Sequence, residues 1–155
     1  DRVIEKGDFV LMDYGAGYCD YRSDMTRTVV MGEPTQEQLD LYALVRRTHE
    51  ACVAAIHPGV EGNDIFKLSK KIIGDAGYGD YYNHGLGHGV GIDIHELPNF
   101  NRSKNTIEVG SVITMEPGVY LPGVGGVRLE DYGVVTENGY EPFTKTPHDL
   151  HIIDC

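Results

Sequence analysis

The 155 residues contain no tryptophan, only three cysteines, 13 basic side chains against 24 acidic ones, and no long apolar run. Each shortage removes a class of function. With no tryptophan and ten dispersed tyrosines, the chain shows no aromatic pattern for sugar binding or base stacking. A formal net charge of −11 argues against nucleic acid, or an anionic membrane, held through a basic patch. A membrane-spanning helix needs about 18 consecutive apolar residues, and the opening DRVIEKGD has no signal-peptide core. Cys19, Cys52 and Cys155 are odd in number and scattered, which fits reduced thiols better than a disulfide framework. The expectation is a soluble, cytoplasmic protein with neither nucleic-acid nor membrane partners.

What is present is ordinary for one globular domain: 41% apolar and 24% charged residues. Residues 8–14 and 18–31 are rich in apolar and β-branched types and predict paired strands. From Thr35 to Ile56, Leu39, Tyr42, Ala43, Arg46 and Ala54 recur at helical intervals. Thr35 with Gln38 opens that run as a capping box, and His57-Pro58-Gly59 closes it. A second helix is predicted over 62–76, with Ile65, Leu68 and Ile72 on one stripe and Gly77 as its stop. Beyond Tyr82 the pattern is loops and short strands, with turn signals at Pro122-Gly123 and Glu137-Asn138-Gly139. Strands, two helices, then strands again suggest an α+β domain with helices packed on a curved antiparallel sheet.

Five residues carry the chemistry. Asp13 and Asp24, 11 apart in LMDYGAGYCDYRSDMTRTVV, can converge on one face of a hairpin turned by Gly15-Ala16-Gly17. His88 lies in HGLGHGVGIDIHE, a stretch so dense in glycine that it reads as a loop shaped around something held closely. Glu116 in TMEPGVY and Glu130 in RLEDYGVV sit in two β-like segments separated by LPGVGG. Four carboxylates and one imidazole suit a pair of divalent ions, manganese first, with cobalt, zinc or iron also admitted. No CxxC or HExxH accompanies them, which disfavours a thiolate or single-zinc protease site. The glycine run also fails as a nucleotide loop, because Val90 stands where the pattern starting at Gly85 needs glycine.

The order Asp, Asp, His, Glu, Glu with HGLGHGVG, MEPG and RLED resembles the pita-bread metallopeptidases, and within them the Xaa-Pro dipeptidases (prolidases) and Xaa-Pro aminopeptidases. The resemblance runs from GDFVLMDYGA to VVTENGYEPFT. It implies a pita-bread fold and hydrolysis of Xaa-Pro bonds in short proline-containing peptides, by a hydroxide bridging two metal ions. It further implies that Asp24 and Glu130 bridge the ions, that Asp13 completes one, and that His88 with Glu116 completes the other. Glu116 would also shuttle the proton. His84 and His95 would hydrogen-bond the substrate and the developing oxyanion, and Arg128, on the face of Glu130, would orient a carboxylate. Members of this group are often homodimers, so the resemblance admits one here.

The resemblance also implies a catalytic domain over 1–155 that lacks its N-terminal part, since residues 1–12 contain no histidine where relatives carry one. Two other readings stand beside it: a non-catalytic binding module on the same scaffold, and a methionine aminopeptidase. Arg102 and Lys104 lie in the loop where a group capturing a free C-terminal carboxylate could sit. Taken alone, His49, His57, His148 and His151 read as surface or end-of-element residues. Asp20, Glu96 and Asp131 read as solvated acids or hydrogen-bond partners, and Arg27 as a structural residue.

Overall fold

The apolar and β-branched run from Phe9 forms β1 (Phe9–Tyr14), which pairs antiparallel with β4 (Met25–Met31) and sets Asp13 opposite Thr26. This computed structural model describes residues 2–102 and 104–154. The single strand expected over 18–31 is divided. A small hairpin of β2 (Gly17–Tyr18) and β3 (Tyr21–Arg22) interrupts it, turning at Cys19 and Asp20 with φ of 48° and 69°. Left-handed backbone at both central residues matches the twist of a two-residue hairpin, so the chain turns there rather than running straight.

Helix α1 (Gln36–Ala54) begins at the expected capping box, in which Gln38 N donates to Thr35 Oγ1 at 3.2 Å and Thr35 N donates to Gln38 Oε1 at 2.9 Å. Its buried face runs through Leu41, Tyr42, Leu44, Val45, Thr48, His49 and Cys52, whereas Leu39, expected on the inner stripe, is exposed. Helix α2 (Gly62–Asp75) buries Ile65, Ser69 and Ile73, one residue beyond the expected Ile72, and yields to Gly77 at φ 88°.

After a short 3-10 turn (Gly79–Tyr81) come β5 (Gly87–Gly89), β6 (Glu96–Phe100), β7 (Val112–Met115), β8 (Gly118–Leu121), β9 (Gly125–Arg128), β10 (Asp131–Thr136), β11 (Gly139–Pro142) and β12 (His151–Ile153). Five of them form a sheet in the order β11-β10-β7-β5-β6, and β8 with β9 form a ribbon. The turn signals fall between β8 and β9 and between β10 and β11. β12 joins β1 and β4 in a three-stranded sheet and runs parallel to β4, a departure from the wholly antiparallel arrangement expected.

Two apolar clusters hold the layers together. Cys52, Ile56, Ile65, Leu86, Phe100, Ile107, Ile113, Met115 and Val135 seal the helices to the five-stranded sheet. Leu41, Tyr42, Val45, Ile73, Tyr82, Val119, Val127 and Leu129 seal them to the ribbon. An antiparallel bridge between Thr26 and Glu130 links β4 to the junction of β9 and β10. Cys19 is exposed and Cys52 buried, both as free thiols, while Cys155 lies outside the described residues. Among the described residues no helix is long and apolar enough to cross a membrane.

Candidate metal centre

Glycine lets the strands approach closely enough to build the site. A Cβ on Gly87 would stand 2.3 Å from the Thr114 carbonyl oxygen, and one on Gly89 2.3 Å from that of Leu97. His88 between them is thereby pressed against β7, where its N–H donates to Thr114 Oγ1 at 3.0 Å. The Thr114 hydroxyl lies 3.4 Å from Glu116 Oε1, so one side chain ties histidine and glutamate together.

His88 Nδ1 faces the carbonyl of Gly89 at 3.0 Å, which requires a proton on Nδ1 and turns Nε2 toward the acids. Nε2 lies 3.3 Å from Glu116 Oε1 and 3.6 Å from Asp24 Oδ2. Ligand atoms of Asp24, His88 and Glu130, all three buried, lie within 4.8 Å of one another. Glu130 is anchored by the Thr26 hydroxyl, which donates to Oε2 at 2.6 Å. Asp13 is half exposed and ion-paired with the Arg128 guanidinium, whose Nε is 3.9 Å from Glu116. All eight residues expected at the site, His84 and His95 included, line one cavity of about 530 Å³ with Asn99 and Asn101.

Burial and mutual repulsion dominate the electrostatics of these acids. Burial, with the neighbouring Glu116 charge, pushes the Glu130 carboxyl up to about 8. Asp24 is also raised, by burial and then by Asp13. Burial opposes the charge on His88, yet the hydrogen bond to Glu116 and the Gly89 carbonyl outweigh it and leave the imidazole raised. Burial and the crowding of like charges thus favour proton uptake among the carboxylates. The donor set of oxygens plus one nitrogen fits hard to borderline divalent ions, which would displace those protons.

A second chain of contacts borders the cavity. His84 Nδ1 meets the Gly85 carbonyl at 2.6 Å and its Nε2 meets the Tyr120 hydroxyl at 2.9 Å, while Arg128 Nη1 donates to that hydroxyl at 3.2 Å. Burial, partly offset by the Gly85 hydrogen bond, lowers the His84 imidazole, and in its neutral form Nδ1 donates to the Gly85 carbonyl and Nε2 accepts from the Tyr120 hydroxyl. His95 stacks edge-on against His88 with ring centroids 4.3 Å apart. Tyr120 carries none of the sequence motifs, although TMEPGVY ends on it.

Other expectations are corrected. His49 is 3% exposed inside α1, while Asp131, expected as a solvated acid or a hydrogen-bond partner, is the latter, 3% exposed and ion-paired with Arg27 at 2.7 Å. His148 contacts the same carboxylate at 2.7 Å. Neither histidine is a surface residue standing apart, because residues far along the chain fold onto α1. His57 and His151 are exposed as expected.

Residues 1–137 match metallopeptidase family M24. The chain is 45% identical over 151 residues to a Xaa-Pro dipeptidase of Pyrococcus furiosus, covering 97% of this chain and 43% of that protein. It superimposes on the prolidase of Pyrococcus horikoshii OT3 with TM-score 0.94 at 42% identity, covering 97% of this chain and 44% of that one. For the X-Pro aminopeptidase of Thermotoga maritima MSB8 the TM-score is 0.95 at 34% identity, with 99% and 44% covered. The chain thus spans less than half the length of these relatives, and in that span it has the prolidase pita-bread fold, mixed α and β.

Proposed function

The chain belongs to metallopeptidase family M24, and from that premise we propose that it hydrolyses Xaa-Pro bonds at a centre of two divalent ions, manganese first among them. One observation carries the reading: Asp24, His88 and Glu130 offer ligand atoms within 4.8 Å of one another, with Glu116 3.3 Å from His88. Asp24 and Glu130 would be shared by both ions, Asp13 would serve one, and His88 with Glu116 would serve the other. Bridging carboxylates answer the mutual repulsion of two close cations. When bound, the ions supply Lewis acidity and lower the pKa of a water at neutral pH.

The protein's own groups do the rest. Glu116, 3.3 Å from Nε2 of His88, would take the proton lost by the attacking water and deliver it to the proline nitrogen as the peptide bond breaks. His95, stacked on His88, would be the donor to the substrate carbonyl as charge develops, while His84, whose Nδ1–H is given to Gly85 and whose Nε2 meets the Tyr120 hydroxyl, would contact the substrate by exchanging Tyr120 for it. Proline's fixed φ and missing N–H make its preceding bond a poor fit for general peptidases, so a shaped pocket is required.

Dipeptides are the preferred substrate class. A recess of about 630 Å³ adjoins the centre through His84, Gly85 and Asn101, and Lys70 and Arg102 line it with no carboxylate among its lining residues. Two cations there suit a free C-terminal carboxylate. With added manganese, Ala-Pro should be cleaved faster than Ala-Pro-Ala. Cleavage of Ala-Pro-Ala alone would assign an aminopeptidase, and cleavage of neither at saturating manganese would reject the peptidase reading for this chain.

A further inference from the structure

On the side of β4 opposite the metal ligands lies a buried charged cluster that the proposed reaction does not use. Arg27 is 5% exposed and spends its guanidinium on five acceptors. Nη1 donates to the carbonyls of Thr26 and Glu130 at 2.9 and 2.7 Å. Nη2 donates to Asp131 Oδ1 and to the carbonyl of Thr146, both at 2.7 Å, and Nε donates to that of Pro147 at 3.1 Å. The other oxygen of Asp131 is 2.7 Å from His148 Nε2 and 3.6 Å from His49 Nε2.

We propose that Arg27 is a positioning residue for the metal centre, clasping the Thr26–Glu130 bridge from behind and so fixing the separation of Asp24 from Glu130. The proposal rests on the two-ion reading above, in which those two acids share both ions. They lie 106 positions apart in sequence and stand on the two sides of one isolated bridge. That bridge has only two main-chain bonds of its own, at 3.4 and 3.1 Å. Arg27 caps both of its carbonyls with one planar group, while Asp131, the residue after Glu130, holds the guanidinium in line. A lysine has the charge but not the fork, and its compact ammonium cannot serve both carbonyls and the carboxylate together.

His49, Asp131 and His148 also fall within reach of a single cation. The group contains one acid, however, and that acid is already neutralised by Arg27, so a divalent ion there would meet an uncompensated guanidinium. The cluster is therefore an ion-pair and hydrogen-bond clasp rather than a metal site.

Titrating the ion-free chain with manganese alone, by calorimetry, tests this. Arg27→Lys that retains the native circular dichroism should bind the ions at least about tenfold more weakly, the usual scale for losing an outer-shell partner of a ligand. His148→Gln, at the outer edge of the cluster, should show a smaller loss in the same direction and serves as the test if Arg27→Lys does not fold. A merely structural Arg27 would lower the melting temperature and leave the affinity of the folded variant untouched, and that result overturns the proposal. A third ion bound by the unmutated chain and lost in His148→Gln overturns it too, by giving the cluster to a cation. Failure of the unmutated chain to bind a pair of ions is a separate outcome, which removes the two-ion reading and the proposal with it.

Discussion

Glu130 is 2% exposed, and at its carboxyl burial with the charges of Glu116 and Asp24 outweighs the Thr26 hydrogen bond and Arg128. A neutral amide of the same shape relieves both burial and repulsion at that point while removing an anionic ligand. Glu130→Gln should therefore leave the ion-free melting temperature unchanged or higher and reduce the manganese retained after gel filtration. His49 shows the opposite burden. Its Nε2 has no hydrogen-bond partner, and burial, partly offset by Asp131, lowers the imidazole to about 4. The unfolded chain takes up that proton near the ordinary value of 6.5 and the folded chain only near 4, so the contribution is complete above pH 6.5 and declines as pH falls through this window. The loss is on the order of 3 kcal/mol by pH 4. Chemical denaturation at stepped pH should show this decline in the unmutated protein and a shallower one in His49→Gln. Steeper acid sensitivity in the variant would contradict the assignment.

At the scale of elements, two substitutions separate stability from assembly of the centre. Thr35→Ala deletes the side-chain half of the α1 cap and should cost about 1 kcal/mol in denaturation without changing ion affinity. Gly87→Ala drives a Cβ into the Thr114 carbonyl and forces β5 away from β7, carrying His88 with it. Ion affinity should then fall by about tenfold or more, by the same reasoning that applies to any lost outer-shell support. The capping box, the stop at Gly77 and the turns at Pro122-Gly123 and Glu137-Asn138-Gly139 were legible in the sequence because each is decided by residues a few positions apart, whereas the hairpin turns at Cys19-Asp20 and not at the expected Gly15-Ala16-Gly17. The parallel pairing of β12 was not, since nothing within His151–Ile153 names Val29–Met31 as its partner. Nor was the clasp of Arg27 on Asp131, which spans 104 positions with no motif joining them. The convergence of the five candidate ligands on one cavity was legible for a different reason: four short motifs fix the backbone around them, so their grouping could be read before the contacts were known.

Across the whole molecule, a pair of cations would add a link between two sheets already joined by the Thr26–Glu130 bridge, the Thr26 hydroxyl on Glu130 and the Arg27–Asp131 ion pair, so ion binding and folding should be linked. Each site filled at a hundredfold excess over its dissociation constant adds about 2.7 kcal/mol of stability, and for a chain of this size each kcal/mol is worth roughly 2–4 °C of melting temperature. Chelation of both ions should therefore lower the melting temperature by roughly 10–20 °C, reversibly on restoring manganese. The decisive measurement is anomalous diffraction from crystals of the chain grown with manganese. Two peaks about 3.5 to 4 Å apart, flanked by Asp24 and Glu130 with His88 on one side and Asp13 on the other, are the predicted result. A single peak, or peaks away from these residues, would contradict it.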